Sequence, residues 1–289
     1  MSAIGSQITP VVLTLDEEPN IGRTLASLRW ANRVVVVDSG STDRTEEIVT
    51  RYENASWYSH RFIDHQSQWS YAIQETEIDS EYVLALDADM QVTLELLKEI
   101  EAKFLPGNFA GGSIPFKYGY FGCHLAGSLC PPQIRLFQRA KVRIDQPDHT
   151  QRFAVDGPVY TFSHGLIHDD QKPLESWVSA QVSYSRLNAN ALTKGAAPRL
   201  RDRLRCLGFM PPIMGLLAYL RAGGPIKGAA AARYAYERAI AEGLLAIRLM
   251  DQRMTNGNQQ SAAAAGETCT DNITGTESSS VTNPPGITS

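Results

Sequence analysis

The 289-residue sequence has no long apolar run, no paired cysteines and no excess of basic residues. No segment approaches the ~18 to 20 apolar residues of a membrane-spanning helix. The four cysteines are scattered without a CxxC pair, which is typical of reduced thiols in a cytosolic protein. The formal net charge of −4 argues against a general nucleic-acid-binding protein, so we expect no nucleic-acid partner. Because no basic residue precedes the first apolar run, we expect no signal peptide and a cytoplasmic location.

The first third of the chain alternates apolar runs with helical patterns. This order predicts an α/β fold with a doubly wound, mostly parallel sheet and helices on both faces. The predicted strands cover residues 8–15, 34–37 and 82–86. The run from Val34 to Val37 is apolar throughout, as in strands that are buried on both faces of a parallel sheet. Asn20 is a candidate cap for a helix that buries Ile21 and Leu25, and residues 42–52 form the next predicted helix.

Composition divides the chain into three regions. We assign residues 1–185 to the α/β domain, 186–253 to a helical extension and 254–289 to a disordered tail. From Asn190 to Arg253 there are 11 lysines and arginines against 4 aspartates and glutamates, so the extension is basic although the whole chain is acidic. No Lys or Arg follows Met254, and Ser, Thr, Asn and Gly are frequent there.

Two carboxylates follow the third predicted strand directly. Asp87 and Asp89 are separated by Ala88 at the point where the apolar run ends. Such a pair can hold Mg²⁺ or Mn²⁺ beside a diphosphate, because these cations prefer oxygen ligands and share them with substrate phosphates. The cation would offset the negative charge that builds on a departing nucleoside diphosphate. The alternative is an ordinary strand-exit turn, in which Asp is common.

A second strand exit carries Asp38 and Ser39. Polar groups that end parallel strands meet at the carboxyl edge of the sheet, so Thr14, Asp38 and the two later carboxylates should surround one crevice. Asp38 can accept hydrogen bonds from a nucleobase or a ribose, and the small residues after it allow a close approach. Asp43 has a structural explanation, since an acidic residue is favourable in the first turn of the helix that follows.

These segments resemble a known family. The stretch VVLTLDEEPNIGRTLASLRWANRVVVVDSGSTDRTEEIV, followed by YVLALDADM, is similar to family 2 glycosyltransferases of the GT-A fold. The resemblance is greatest to the branch that contains lipopolysaccharide-core β-1,4-glucosyltransferases. In the motif of the first strand, Leu15 and Asp16 stand where the family usually has Lys and Asn.

The resemblance implies roles for individual residues. It places the donor base at Asp38 and the diphosphate and metal at Asp87 and Asp89, with His168 completing the metal or diphosphate site. Arg135 lies in an otherwise apolar run, so it either binds a phosphate or carboxylate or is an ordinary strand-edge arginine. The predicted donor contacts are Thr14, Glu17, Asp38, Ser39, Asp87 and Arg135, and the predicted metal ligands are Asp87, Asp89 and His168.

The catalytic base is expected at Asp148 or His149. An inverting transfer needs a carboxylate or an imidazole that takes the proton of the attacking hydroxyl. The family often carries this base near a His-Glu pair, and the corresponding stretch here contains Asp148 and His149 but no glutamate. The alternative for both residues is a polar side chain in a turn.

The basic extension predicts contact with an anionic membrane surface. Arg201, Arg203 and Arg205 precede a short apolar run that Pro211 and Pro212 interrupt, as in interfacial anchors. A packed helical subdomain is the alternative.

Together these features predict a hexosyltransferase at the inner face of the cell membrane. The donor would be a nucleoside diphosphate sugar, the acceptor a saccharide or a lipid-linked hydroxyl, and the cofactor Mg²⁺ or Mn²⁺. The alternatives are a polyprenyl-phosphate glycosyltransferase and a non-catalytic, membrane-associated protein that binds nucleotide sugars.

Overall fold

The structure is a computed structural model that describes residues 3–145, 152–193 and 200–270 of the chain. The strands are β1 (Ile8–Thr14), β2 (Val34–Asp38), β3 (Ala55–Ser59), β4 (Tyr82–Asp87), β5 (Met90–Gln91), β6 (Gly111–Ile114), β7 (Phe116–Tyr120), β8 (Cys123–His124), β9 (Gln133–Gln138), β10 (Val142–Asp145), β11 (Arg152–Val155), β12 (Val159–Thr161) and β13 (Leu166–His168). The helices are α1 (Ala3–Gln7), α2 (Ile21–Ala26), α3 (Thr45–Val49), α4 (His65–Gln74), α5 (Leu94–Glu99), α6 (Leu174–Thr193), α7 (Leu200–Cys206), α8 (Met210–Arg221) and α9 (Gly224–Thr270).

A seven-stranded sheet forms the centre of the α/β region, in the order β12-β6-β9-β4-β1-β2-β3. The strands β4, β1, β2 and β3 are parallel, whereas β9 runs antiparallel to β4 and β6. A smaller sheet has the order β5-β13-β7-β8, and β10 pairs with β11. The predicted α/β fold with a mostly parallel central sheet is confirmed.

Two apolar layers cover the large sheet, because successive side chains of a strand point to opposite faces. On one face Val34 and Val36 belong to the same cluster as Leu25 of α2. On the other face Val37 lies in the cluster of Trp69 from α4. All four valines of β2 are fully buried, which confirms the prediction for this strand.

Of the two predicted helix starts, the one after Asn20 agrees with the structure in position and the one at residue 42 does not. Asn20 directly precedes α2 but makes no side-chain cap for it, because its Oδ1 accepts the Arg23 guanidinium and the N–H of Gln171 instead. The helix predicted for residues 42–52 begins only at Thr45.

Four helices form the C-terminal region, and α8 packs closely against α9. Ala218 of α8 shares a buried cluster with Ala231 and Tyr234 of α9. A Cβ atom added to Gly215 would lie 3.2 Å from Cβ of Ala239, so a larger residue would push the two helices apart. Pro211 and Pro212 occupy the first turn of α8, where the missing N–H of proline removes no helical hydrogen bond. Among the helices of the described ranges, none is long and apolar enough to cross a membrane.

The structure places residues 254–270 in α9, which extends to Thr270, whereas the sequence predicted a disordered tail from residue 254. This part of the chain contains the run Ala262 to Ala265, and alanine has the highest intrinsic helix propensity. The loss of Lys and Arg after Met254 therefore marked a change of composition and not the end of the helix. Residues 271–289 lie outside the described part of the chain.

The basic side chains of the extension do not all lie on its surface. Arg205 is 6% exposed, and its Nε lies 2.7 Å from Oε2 of Glu242. The prediction that Arg205 faces lipid headgroups is therefore wrong, because Glu242 neutralises this guanidinium inside the helical region. Arg203, in contrast, is exposed.

Candidate active site

The carboxyl ends of β1, β2 and β4 form one edge of the large sheet. Thr14 of β1 is paired in register with Asp38 of β2, and Leu13 is paired with Asp87 of β4. Because these strands are parallel and in register, Thr14, Asp38 and Asp87 reach the same level of the sheet. The structure thus brings together at one edge the side chains that the strand exits indicated.

Asp38 is buried, and its carboxylate is bonded within its own turn. Its Oδ2 accepts the N–H groups of Gly40 and Ser41, both at 2.8 Å, and its Oδ1 accepts the Ser41 hydroxyl at 2.5 Å. Gly40 has a φ of 105°, a conformation that residues with a side chain rarely adopt. A carboxylate offers about four acceptor positions, so roughly one lone pair of Asp38 remains for a ligand.

The loops that follow β1 and β2 are bonded to each other. The N–H of Asp16 donates to the Ser41 hydroxyl at 2.8 Å, and Oδ1 of Asp16 accepts the N–H of Thr42 at 2.7 Å. Asp43 accepts the N–H groups of Glu18 and Thr45, so its bonds are structural, although it precedes α3 and does not lie in the first turn of that helix as predicted. These bonds fix the positions of Glu17 and Asp38 relative to each other.

The two carboxylates after β4 meet basic side chains from other strands. Oδ2 of Asp87 lies 3.2 Å from Nη2 of Arg135 on β9. Oδ2 of Asp89 lies 3.4 Å from Nε2 of His168 at the end of β13. The antiparallel pairing of β13 with β5, in which His168 faces Met90, brings this histidine to the edge. Sequence positions almost 80 residues apart are thereby joined in one polar cluster.

Several buried polar atoms at this edge have no hydrogen-bond partner among the described residues. They are Oγ1 of Thr14, Oδ1 of Asp89, and Nε and Nη1 of Arg135. Buried polar atoms are nearly always paired, and an unpaired one costs roughly 1–3 kcal/mol. Arg135 therefore has donors left for an anion, and Asp89 has an acceptor left for a cation or a donor. The edge is therefore suited to a ligand that carries both an anionic group and a cation.

Burial and neighbouring negative charges raise the pKa values of two acids in this cluster. Burial raises the pKa of the Asp89 carboxyl, an effect that His168 opposes and Asp87 reinforces. Burial also raises the pKa of Glu17 to about 7, the charge of Asp89 adds to it, and Lys172 opposes it. Carboxylates that repel one another in a buried place are favourable surroundings for a divalent cation, which would relieve the repulsion.

The predicted metal ligands are only partly brought together. Over the described residues, no group of three His, Cys, Asp or Glu side chains is arranged to hold a metal ion. Asp89 and His168 approach each other, whereas Asp87 turns toward Arg135. These residues fit a cation that takes Asp89 and His168 from the protein and its other oxygens from a phosphate ligand, as Mg²⁺ often does.

A charged network beside the cluster escaped the sequence analysis. Nζ of Lys172 lies 2.6 Å from Oε1 of Glu17, and Nη1 of Arg23 lies 3.2 Å from Oδ2 of Asp169. The Asn20 amide donates to Glu17 at 2.8 Å. These contacts tie the segment after β13 to the loop after β1. The charged run that directly follows His168, at a strand exit, is the signal that could have revealed them.

Two tyrosines also border the cluster. Tyr118 stacks on His168 with ring centroids 4.6 Å apart. The pKa of Tyr184 is raised by burial and by the negative charge of Asp87, which places this ring within electrostatic reach of the strand exits. Neither tyrosine belongs to a sequence motif, so only the fold reveals them. The predicted bases Asp148 and His149 lie outside the described residues.

Residues 10–144 match the family model for glycosyl transferase family 2. This part of the chain is a family 2 glycosyltransferase domain. The predictions of this family, of the GT-A type of α/β fold and of a glycosyltransferase are confirmed. The match includes Asp38, Asp87, Asp89 and Arg135, whereas His168 lies beyond it.

Individual relatives of the glycosyltransferase are also recognisable. The lipopolysaccharide core biosynthesis glycosyltransferase LpsC of Rhizobium meliloti (strain 1021) is 27% identical over 228 residues, which are 75% of this chain and 82% of that protein. An uncharacterized glycosyltransferase of Rickettsia bellii (strain RML369-C) is 33% identical over 103 residues, 35% of this chain and 34% of that protein. Among solved structures, S. aureus TarS 1-349 in complex with UDP aligns with a TM-score of 0.47 at 16% identity, covering 87% of this chain and 92% of that chain.

Proposed function

We propose that the enzyme transfers a hexose from a nucleoside diphosphate sugar to a hydroxyl of a saccharide or of a lipid-linked glycan, with inversion at the anomeric carbon. The observation that carries the proposal is the set of unpartnered buried atoms on Thr14, Asp89 and Arg135. A diphosphate with its cation would supply negative oxygens to Arg135 and positive charge to Asp89 at the same edge.

The donor's two ends match two parts of the edge. The base or ribose is assigned to Asp38, with its remaining lone pair, and to Ser39. Thr14, Arg135 and Asp87 are assigned to the diphosphate, because they lie farther along the same edge toward β9. Glu17 is bonded to Lys172, so a donor contact from Glu17 would have to share its carboxylate with that ammonium.

A divalent cation, Mg²⁺ or Mn²⁺, would supply Lewis-acid stabilisation of the departing diphosphate. Asp89 and His168 are the side chains assigned to hold it, with Asp87 as the third predicted ligand. Arg135 adds a fixed positive charge on the other side of Asp87, where charge builds as the donor bond breaks.

The transfer itself forms one bond and breaks another. The acceptor oxygen bonds to the anomeric carbon, the bond from that carbon to the diphosphate oxygen breaks, and the nucleoside diphosphate leaves with the electron pair. The acceptor proton goes to Asp148 or His149, which remain the candidates for the base.

The acceptor proposal rests on the relative named for lipopolysaccharide core biosynthesis, and we infer an acceptor of the cell envelope. We further infer that α8 lies on the inner face of the cell membrane. Its residues Ile213, Leu216, Leu217 and Leu220 are 43–62% exposed and recur at the spacing of one helical face. An exposed apolar face that follows the exposed Arg203 in the chain suits an anionic lipid surface.

Hydrolysis of a panel of nucleotide sugars, with and without Mn²⁺, tests the donor part of the proposal. We expect release of a nucleoside diphosphate from at least one donor and a marked loss of release when a chelator removes the metal. If no donor in the panel is hydrolysed or bound, the proposed activity is wrong. A second assay with glycan and polyprenyl phosphate acceptors separates the two acceptor classes.

A further inference from the structure

A cavity of about 360 Å³ lies between the C-terminal helices and the small sheet. Five of its lining residues carry the inference, namely Tyr118, Gln181, Tyr184, Tyr234 and Arg238. A second cavity, of about 370 Å³, lies between α4 and β10. That one is at the opposite edge of the sheet, because the N–H of its residue Arg139 donates to Glu81, which precedes β4.

The first cavity lies next to the proposed reaction centre. Tyr118 forms part of its wall and also stacks on His168, whose Nε2 is 3.4 Å from Asp89. Tyr184 forms another part and lies close enough to Asp87 for that charge to raise its pKa. A saccharide in this cavity would therefore have one end beside the diphosphate of the donor.

The cavity has one more positive charge than negative charge in its lining. Three charged side chains line it, and two of them, Arg205 and Glu242, are bonded to each other at 2.7 Å. Arg238 is the third, and the described residues include no ion-pair partner for it. Its Nε is buried without a hydrogen-bond partner, and its Cζ lies 5.6 Å from the centroid of the Tyr234 ring.

On the basis of the proposed function, we propose that this cavity receives the acceptor and that Arg238 binds an anionic group on it, a carboxylate or a phosphate. A guanidinium with a free donor presents the geometry that carboxylates and phosphates prefer. The rings of Tyr118 and Tyr184 supply apolar faces for the sugar, and Gln181 supplies an amide. Arg238 is thus a specificity-determining residue that selects acidic acceptors over neutral ones.

Three hexoses that differ at C6 test the proposal: glucose, glucuronate and glucose 6-phosphate. Their affinities are measured by ligand-observed NMR with the full chain. Mn²⁺ is present, together with the nucleoside diphosphate that the enzyme releases from its sugar donor. The bound nucleotide keeps the phosphosugar away from Arg135. We expect one of the two acids to bind about tenfold more tightly than glucose, as for a hydrogen bond to a charged group. Tighter binding of glucuronate identifies a carboxylate site, and tighter binding of glucose 6-phosphate identifies a phosphate site.

The variants separate a binding role from a structural one. Arg238→Gln should remove the preference for the acid, whereas Arg238→Lys, which retains the charge, should keep part of it. Arg253→Gln is the matched control, because it removes the same charge from an exposed position of the same helix and should keep the full preference.

Equal binding of the three hexoses to the wild-type enzyme would overturn the proposal. A preference that survives in Arg238→Gln, or that falls equally in Arg253→Gln, would also overturn it. Should Arg238→Gln not fold, a reduced but remaining preference in Arg238→Lys, with the full preference kept in Arg253→Gln, supports the same site, and an unchanged preference in Arg238→Lys overturns it. Failure of the proposed function appears separately, as absence of donor hydrolysis in the wild-type enzyme.

Discussion

Asp89 combines three properties that no other aspartate of the cluster shares. It is largely buried, its pKa is raised by that burial, and one of its oxygens has no hydrogen-bond partner within the described ranges. Asp87, two residues earlier, is more exposed and is already paired with Arg135. At the scale of the residue, the second carboxylate of the DxD triplet is thus the stronger candidate for the cation.

Replacing this carboxylate by an amide tests that assignment. Asp89→Asn should lower donor turnover by about 100-fold, because losing a charged ligand at a developing diphosphate costs roughly 3 kcal/mol. The measurement is kcat for donor hydrolysis at saturating Mn²⁺. Asp79→Asn, at an exposed aspartate before β4, is the control that should retain wild-type kcat. Wild-type turnover in Asp89→Asn would rule out its role.

Asp38 and Asp43 make similar numbers of local hydrogen bonds, yet we assign a ligand only to the first. Asp38→Ala should weaken binding of the nucleoside diphosphate by ~1–3 kcal/mol, since a buried acceptor is lost. Asp43→Ala should lower thermal stability but leave affinity for the nucleotide within about twofold. Calorimetric titration of both variants decides between the roles. Equal affinity losses in both would mean that Asp38 only shapes its turn.

At the scale of the element, Glu99 connects the end of α5 to the segment between β12 and β13. Its carboxylate accepts the N–H groups of Ser163 and His164 and the hydroxyl of Tyr160. Burial alone would raise the pKa of Glu99, but these hydrogen bonds outweigh it and lower the pKa to about 2. The Glu99 carboxylate is therefore charged, and its hydrogen bonds hold in place the segment that leads to β13 and to His168.

The lowered pKa predicts how stability depends on pH. The contribution of Glu99 is fully present above about pH 5 and is lost as the pH falls toward 2, since the folded state resists protonation of this group. A shift from 4.5 to about 2 corresponds to ~3 kcal/mol. The free energies of unfolding of the wild type and of Glu99→Gln, measured with urea, should therefore differ by about that amount at pH 7 and by much less at pH 2.5.

The neighbouring acid provides the control for this prediction. Glu101→Gln changes an exposed glutamate in the same part of the chain and should leave the free energy of unfolding unchanged at both pH values. If the difference in free energy of unfolding between the wild type and Glu99→Gln stayed constant with pH, the lowered pKa would not belong to the Glu99 carboxylate.

At the scale of the whole molecule, the helical region has a buried face and an exposed apolar face. The interior of the helix pair consists of small residues and Tyr234, whereas the leucines of α8 point away from it. A packed helical subdomain would bury the leucines of α8, but Leu216, Leu217 and Leu220 are each at least 48% exposed. These leucines are therefore available to an external apolar surface.

Vesicle co-sedimentation tests whether that surface is a membrane. Binding to vesicles with anionic lipid should fall steeply as salt increases, because screening weakens an attraction of ~1 kcal/mol per basic residue. The double change Leu216→Ser with Leu220→Ser should reduce binding by tenfold or more without lowering thermal stability, since both side chains are more than 60% exposed.

Leu94, exposed to 61% on α5, supplies the control, and Leu94→Ser should bind vesicles like the wild type. Absence of sedimentation at low salt would remove the membrane proposal. Loss of thermal stability in the double variant would instead favour the packed subdomain.

Local sequence information determined the sheet and its carboxyl edge. The apolar runs of β1, β2 and β4 indicate strands that are buried on both faces of the sheet. The residues that end these strands share one edge, because the strands are parallel and adjacent. The positions of Thr14, Asp38 and Asp87 could thus be predicted, since each depends only on where a strand ends. The family was evident from the same segments.

Only the tertiary structure decided which side chains approach that edge from elsewhere. The bond from Asn20 to Asp170 joins residues 150 positions apart, and the pair of Arg205 with Glu242 turned a predicted surface arginine into a buried one. The cavity beside His168 likewise combines α6 and α9 with a tyrosine of the small sheet. No periodicity or spacing encodes such contacts, because they depend on how whole elements pack and on which charges must be neutralised when water is excluded.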